Sequence, residues 1–142
     1  MKKDNRTVGG RFEQEFAEIL HKNGFWCHVM QQNKAGQPAD IIAVKGQYHT
    51  LIDAKVISGD DGFPLKRIEE NQRTAMTMFM RRGKENCWFA MKLADGSIWV
   101  LSFTFLLMMK NSGKKSVSER VIRTQRSLET WLHDTELWAE ET

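Results

Sequence analysis

The sequence predicts an α/β domain in which a mixed central β-sheet is flanked by helices. Three observations carry that expectation. An amphipathic helical stripe opens the chain, three strand-like runs follow with hairpin punctuation between two of them, and a second stripe precedes a second hairpin. The resulting order is αβββαββ, with αβββαβ as its core. With 142 residues, 41% of them hydrophobic, one domain spanning 1–142 around a single core is expected.

The elements follow in order. After a polar, glycine-containing start, Phe12, Phe16, Ile19 and Leu20 recur at helical spacing, and Asn23-Gly24 supplies the stop. Residues 25–30 are aromatic and β-favouring, so a strand is expected before the polar loop QQNKAGQP. Residues 40–44 and 48–56 read as two strands joined by the tight turn Lys45-Gly46-Gln47. A loop over 58–62 leads to Pro64, beyond which Ile68, Ala75, Met76, Phe79 and Met80 mark a second helix ending near Gly83. Residues 87–93 and 98–101 flank Asp95-Gly96, the strongest hairpin signal in the chain. Residues 103–109 fit a short helix or a buried strand equally well, because periodicity does not arbitrate so short an apolar run. Leu128, Trp131, Leu132 and Leu137 place a last helix in the tail.

Charge divides the chain. All 21 Lys and Arg lie at or before Arg126, whereas the last 16 residues carry five acids and no Lys or Arg. A basic segment over 110–126 is thus followed by an acidic helical tail over 127–142. A basic body suits a polyanion, since each phosphate neutralised releases counterions. No apolar run approaches a membrane span, and MKKDNRTVGG has no apolar region behind its basic residues, so a soluble, intracellular protein is expected. Cys27 and Cys87 have neither CxxC nor Cys/His spacing, which argues against a zinc site or a disulfide framework and for buried free thiols.

The chemistry concentrates where carboxylates interrupt strands. Asp40 precedes one apolar run and Asp53 sits inside TLIDAKV, where an acid is costly unless paired or metal-bound. Adjacent antiparallel strands can bring these two together, and Mg²⁺ takes hard oxygens of this kind. Lys55, two residues beyond Asp53, shares its strand face and places a cation beside the carboxylate. Residue types alone leave open a surface salt bridge on an edge strand. On the first helix Glu18 points away from the apolar stripe, while Glu13 and Glu15 flank it; angle does not choose between them. Gln72 falls on the stripe of the second helix, so its amide needs a partner in a site carboxylate, water or phosphate, unless the stripe emerges into solvent there.

Other candidates are weaker. His21, His28, His49 and His133 lack metal-ligand spacing, and His49 reads as a strand surface residue. Arg11, Lys34, Lys66-Arg67, Arg81-Arg82-Lys84 and Lys114-Lys115 are candidate phosphate contacts. Trp26, Trp88 and Trp99 fall in strands and are expected in the core. Met76, Phe79 and Met80 are read as core or dimer contact, and Trp131 and Trp138 as burying the tail against the body or a partner subunit.

Gly9-Gly10-Arg11-Phe12-Glu13, Gly24-Phe25, Asp40-Ile41-Ile42-Ala43 and Asp53-Ala54-Lys55 together resemble the PD-(D/E)xK nucleases, particularly the archaeal Holliday-junction resolvases. Phe63-Pro64-Leu65, Ile68, Gln72 and Gly113-Lys114-Lys115-Ser116-Val117 are similar to segments of the bacterial RecU resolvases. The resemblance implies a restriction-endonuclease-like fold and a structure-selective endodeoxyribonuclease that cuts four-way junctions during recombination, leaving 5′-phosphate and 3′-hydroxyl ends. It selects Glu13, Asp40 and Asp53 as ligands for Mg²⁺, with Mn²⁺ as a substitute, Lys55 as the catalytic lysine and Gln72 as a supporting residue. It also implies a branched-DNA partner, a homodimer, and a cytoplasmic place at a nucleoid or in a phage-infected cell. Other nucleases share the scaffold, namely nickases, exonucleases and restriction-type enzymes; a non-catalytic recombination accessory protein is the remaining alternative. Pro38-Ala39-Asp40 replaces the usual Pro-Asp, Asp53 replaces the more frequent Glu, and the link ahead of Asp40 is short for the RecU stalk, favouring the plainer archaeal shape.

Overall fold

Phe12 and Phe16, one helical turn apart, decide how the sheet is covered on one side. The computed structural model describes residues 5–31, 36–59, 62–80 and 85–140, with the backbone alone for 5–10. In it α1 (Asn5–Lys22) buries Phe12, Phe16, Ala17 and Leu20. The helix starts earlier than the polar opening suggests, running through Gly9 and Gly10 although each glycine costs about 1 kcal/mol relative to alanine. Elongation from the turn that Phe12 anchors needs no new nucleus, which is why the extension is tolerated. Gly24, at φ +86°, closes it, and Phe25 N–H donates back to the Leu20 carbonyl at 3.0 Å.

The three early strands are β1 (Trp26–Val29), β2 (Ile41–Lys45) and β3 (Tyr48–Val56). Then come β4 (Phe63–Pro64), a 3-10 turn (Leu65–Arg67) and α2 (Glu70–Phe79). Ile68 therefore lies outside the second helix, contrary to the sequence expectation, because Pro64 and the tight turn delay the helix start. The hairpin of β5 (Cys87–Lys92) and β6 (Ile98–Ser102) forms as expected. The ambiguous run is a helix, α3 (Phe103–Asn111), because the Ser102 side chain caps it by accepting from Phe105 N at 3.0 Å. The chain finishes with β7 (Ser116–Val117), α4 (Glu119–Ile122), β8 (Arg126–Ser127) and α5 (Leu128–Glu140).

The main sheet runs β1-β2-β3-β5-β6-β8, with β3 and β5 parallel and the other pairs antiparallel. Strand alternation sends Ile52, Ala54, Trp88 and Ala90 to one face, under α1 and α5, and Leu51, Phe89, Met91 and Leu101 to the other, under α2 and α3. The acidic tail packs on its own body. Trp131 is buried against Phe25 at 5.9 Å, and Trp138 stacks on Trp88 at 5.7 Å. Gly46, at φ +57° in the β2–β3 turn, lies where a Cβ would come within 2.6 Å of the Ala139 carbonyl oxygen, so the turn and the tail meet backbone to backbone.

Of the strand tryptophans, Trp88 is core, Trp99 half-buried and Trp26 61% exposed. On β1 it is Cys27 and Val29 that face the α1 core, and Trp26 takes the opposite parity on an edge strand. Cys27 is half-buried and Cys87 buried, both as free thiols. His49 is exposed, as expected. The expected end of the second helix near Gly83, and the cluster Arg81-Arg82-Lys84, lie outside the described residues, as does Lys34. Among the described residues no helix is long and apolar enough to cross a membrane.

Candidate active site

The site lies where one strand stops and its neighbour continues. Strand β2 begins at Ile41, paired with Ile52, so β3 runs on past it through Asp53, Ala54 and Lys55. Ala54 N–H consequently has no β2 carbonyl to meet, and the Asp40 carboxylate takes it, with Oδ2 accepting at 2.8 Å. Asp40 is also held by its own backbone: its N–H donates to the Ile52 carbonyl, and its carbonyl accepts from Met30 N–H. Asp40 and Asp53 thus become cross-strand neighbours at the frayed corner of the sheet.

Asp53 is 1% exposed. Its Oδ1 accepts from Gln72 Nε2 at 2.7 Å. Its Oδ2 faces Lys55 Nζ at 3.0 Å in an ion pair, and the carboxyl also shares a hydrogen bond with that of Asp40. Burial, followed by the charge of Asp40, pushes the Asp53 carboxyl up to about 7. The Asp40 carboxyl is raised chiefly by burial and further by Glu13, against the lowering effect of Ala54 N–H. Glu13 is likewise raised, mainly by burial and in part by Asp53, while its hydrogen bond with Asp40 lowers it. The three expected acids therefore act on one another.

The helices complete the corner from opposite faces. Glu13 comes from α1 and interacts with Asp40 and Asp53, whereas Glu15 pairs with Lys92 at 2.7 Å. Glu18 is exposed. Gln72, third residue of α2 and buried, accepts from Glu69 N–H at 3.3 Å while donating to Asp53. One amide thus caps the helix and holds the acid, and the positive end of the helix dipole points at the site. Asn71, beside it, donates to the Gln37 carbonyl at 3.4 Å in the loop that leads to Asp40. Neither Asn71 nor the Ala54 amide figured in the sequence expectation; the polar pair Asn71-Gln72 in the first turn of a helix was the available signal.

The donor set fits a hard divalent cation. It offers carboxylate oxygens, those of Asp53 almost wholly buried, and their mutual repulsion is what such a cation relieves. Among the described residues no three acidic, imidazole or thiol side chains converge as a ready-made cage. Mg²⁺ commonly keeps several waters and takes protein carboxylates together with a substrate phosphate.

Several of the basic candidates fall among the described residues. The β4–β7 ladder pairs Phe63 with Val117, and Leu65 N–H donates to the Lys115 carbonyl at 2.9 Å. It therefore joins Lys66-Arg67 to Lys114-Lys115, which are distant in sequence. Lys66, Lys114 and Lys115 are exposed, whereas Arg67 lies over the Phe63 ring at 5.6 Å. Arg11 is exposed and lines an open cleft of about 430 Å³ with Glu15, Val56, Gly59 and Lys92.

Residues 4–137 match the family described as archaeal Holliday junction resolvase (Hjc). Among solved structures the chain is similar to the Holliday junction resolvase Hjc of Archaeoglobus fulgidus, an archaeal hyperthermophile. The TM-score is 0.65 at 22% identity, over 87% of this chain and 99% of that one. No curated protein matches. The mixed sheet, the flanking helices and the match along nearly the whole chain lead to one statement: this chain belongs to the archaeal Holliday-junction resolvase family.

Proposed function

We propose that this junction-resolving nuclease is a divalent-cation-dependent endodeoxyribonuclease in which Asp40, Asp53 and Glu13 hold Mg²⁺, with Mn²⁺ able to replace it. A cation bound there supplies Lewis acidity to the scissile phosphate and lowers the pKa of water. The chain's own residues do the rest. Asp53, locked by Gln72, presents a fixed oxygen; Asp40, locked by Ala54 N–H, presents a second beside it. Lys55, 17% exposed and 3.0 Å from Asp53, is placed to steady negative charge growing on the phosphate. Lys66, Lys114, Lys115 and Arg11 contact the DNA backbone on either side. The observation that carries the reading is the Asp53 carboxylate, buried beside Asp40, fixed by Gln72 on one oxygen and facing Lys55 with the other.

Paired nicks need two such sites related by a two-fold axis, so the working unit is a homodimer acting on branched DNA. That substrate places the protein with the nucleoid. The test is cleavage of a labelled four-way junction beside matched duplex, flap and single strand, with and without Mg²⁺. Symmetric nicks on the junction alone, dependent on the metal, are expected. Equal cutting of linear duplex favours a nickase or restriction-type enzyme, and no cutting in Mg²⁺ or Mn²⁺ leaves a non-catalytic accessory protein.

A further inference from the structure

On the sheet face that carries Asp53, Leu51 is buried, but described side chains toward the opposite end of β1 and β2 reach the surface. Register defines three rows on that face: Trp26, Val44 and His49; His28, Ile42 and Leu51; and the catalytic row of Asp40 and Asp53. Trp26, His28 and His49 are exposed, Val44 and Ile42 half-buried, and the first two rows hold no charged side chain. Trp26, 61% exposed, has a second exposed ring, His28, two residues along the same strand face.

We propose that Trp26 and His28 form a clamp for one unstacked base of the junction, a specificity element additional to the phosphate contacts. This rests on the nuclease reading above. Alternate residues on a strand are about 6.6 Å apart, and their side chains stand roughly parallel. One base slotted between two rings needs twice the stacking distance of about 3.4 Å, or about 6.8 Å. The spacing matches. Trp26 lies about 13 Å along the strand from the catalytic row, within a few nucleotides of the phosphate being cut. A base bound there must leave the helical stack, which the opened centre of a four-way junction allows more readily than continuous duplex. A second copy of the chain suits the patch less well, because five residues fall short of the 20–30 a side that a stable subunit interface takes.

The test uses the full-length protein with Ca²⁺ in place of Mg²⁺, so that binding is read apart from cleavage. Trp26→Ala is expected to weaken four-way-junction binding roughly 5- to 150-fold, the range for losing one stacked base, while Trp26→Phe keeps most of it. Linear duplex binding and the oligomeric mass by light scattering should not change. Junction affinity within about twofold of the unsubstituted protein overturns the clamp. So does a lost affinity that comes with a fall in oligomeric mass, which would make the patch a subunit contact. Absence of cleavage in Mg²⁺ bears only on the nuclease reading, since the binding comparison does not depend on it.

Discussion

Replacing Asp53 with asparagine should abolish cleavage and yet make the protein more stable above neutral pH in the absence of divalent cations. A carboxyl whose pKa is raised from 3.8 to about 7 binds its proton more tightly in the native than in the unfolded chain. Native stability therefore falls as pH rises from about 4 to about 7, and is lowest above it. The full effect is about 4 kcal/mol at most, at 1.36 kcal/mol per pH unit. Asparagine removes that burden and keeps an oxygen for Gln72 Nε2, but it turns an N–H toward the Lys55 ammonium, at a cost of about 1–3 kcal/mol. The expected net is a variant more stable by about 1–3 kcal/mol at pH 8, or roughly 3–9 °C in Tm for a chain of this size. At pH 4 to 5 that advantage should vanish or reverse. Thermal and urea melts at pH 4.5 and 8, in EDTA and then in Mg²⁺, measure it. Mg²⁺ should stabilise the unsubstituted protein and leave the variant unmoved. A stability difference that does not change with pH would refute the argument, because Asp53 would then be ionised without strain.

Further outcomes follow from the same corner. With Mg²⁺ well below saturation, cleavage should rise with pH through about 7 as Asp53 ionises, and higher Mg²⁺ should move the midpoint down; rate profiles at two metal concentrations check this. Gln72→Ala removes both the 2.7 Å bond to Asp53 and the cap on Glu69 N–H, so the Mg²⁺ needed for half-maximal cleavage should rise about 10- to 100-fold, measured by metal titration of the rate. Gly46→Ala should cost about 1–3 kcal/mol without touching the site, since it adds a Cβ at φ +57° against the Ala139 carbonyl; a lowered Tm at unchanged activity per folded molecule is the expected reading.

Much of this was legible in the chain because it depends on local pattern. The stripe of Phe12, Phe16 and Leu20, the β2–β3 hairpin and the Asp95-Gly96 turn are periodic or carry turn chemistry, and each stands where the sequence put it. Asp53 and Lys55 share a face because two residues along a strand must. What local pattern does not encode is parity and pairing. In the aromatic run of residues 25–30 either parity buries rings, and the choice that left Trp26 outside was made by α1 packing on Cys27 and Val29. The β4–β7 ladder pairs two-residue strands far apart in sequence, too short for a period to read. Glu15 is drawn off by Lys92, an ion partner on a strand 77 residues away that no local pattern announces. Gln72 was singled out from a stripe that included Ile68, and Ile68 proves not to be helical; the inward position of Gln72 comes instead from its place as third residue of α2.

The bond from Ala54 N–H to Asp40 ties two properties that most enzymes keep apart. The same hydrogen bond finishes the edge of the sheet and fixes the carboxylate proposed as a ligand, so substitutions at Asp40 are expected to act on folding and chemistry at once. Asp40→Ala strands a buried amide, whereas Asp40→Asn leaves an oxygen to receive it. The Ala54 amide is also a natural probe. Its hydrogen-exchange rate and its NMR shift report how Asp40 is engaged, so occupancy of the site can be followed at one backbone position without label or substrate.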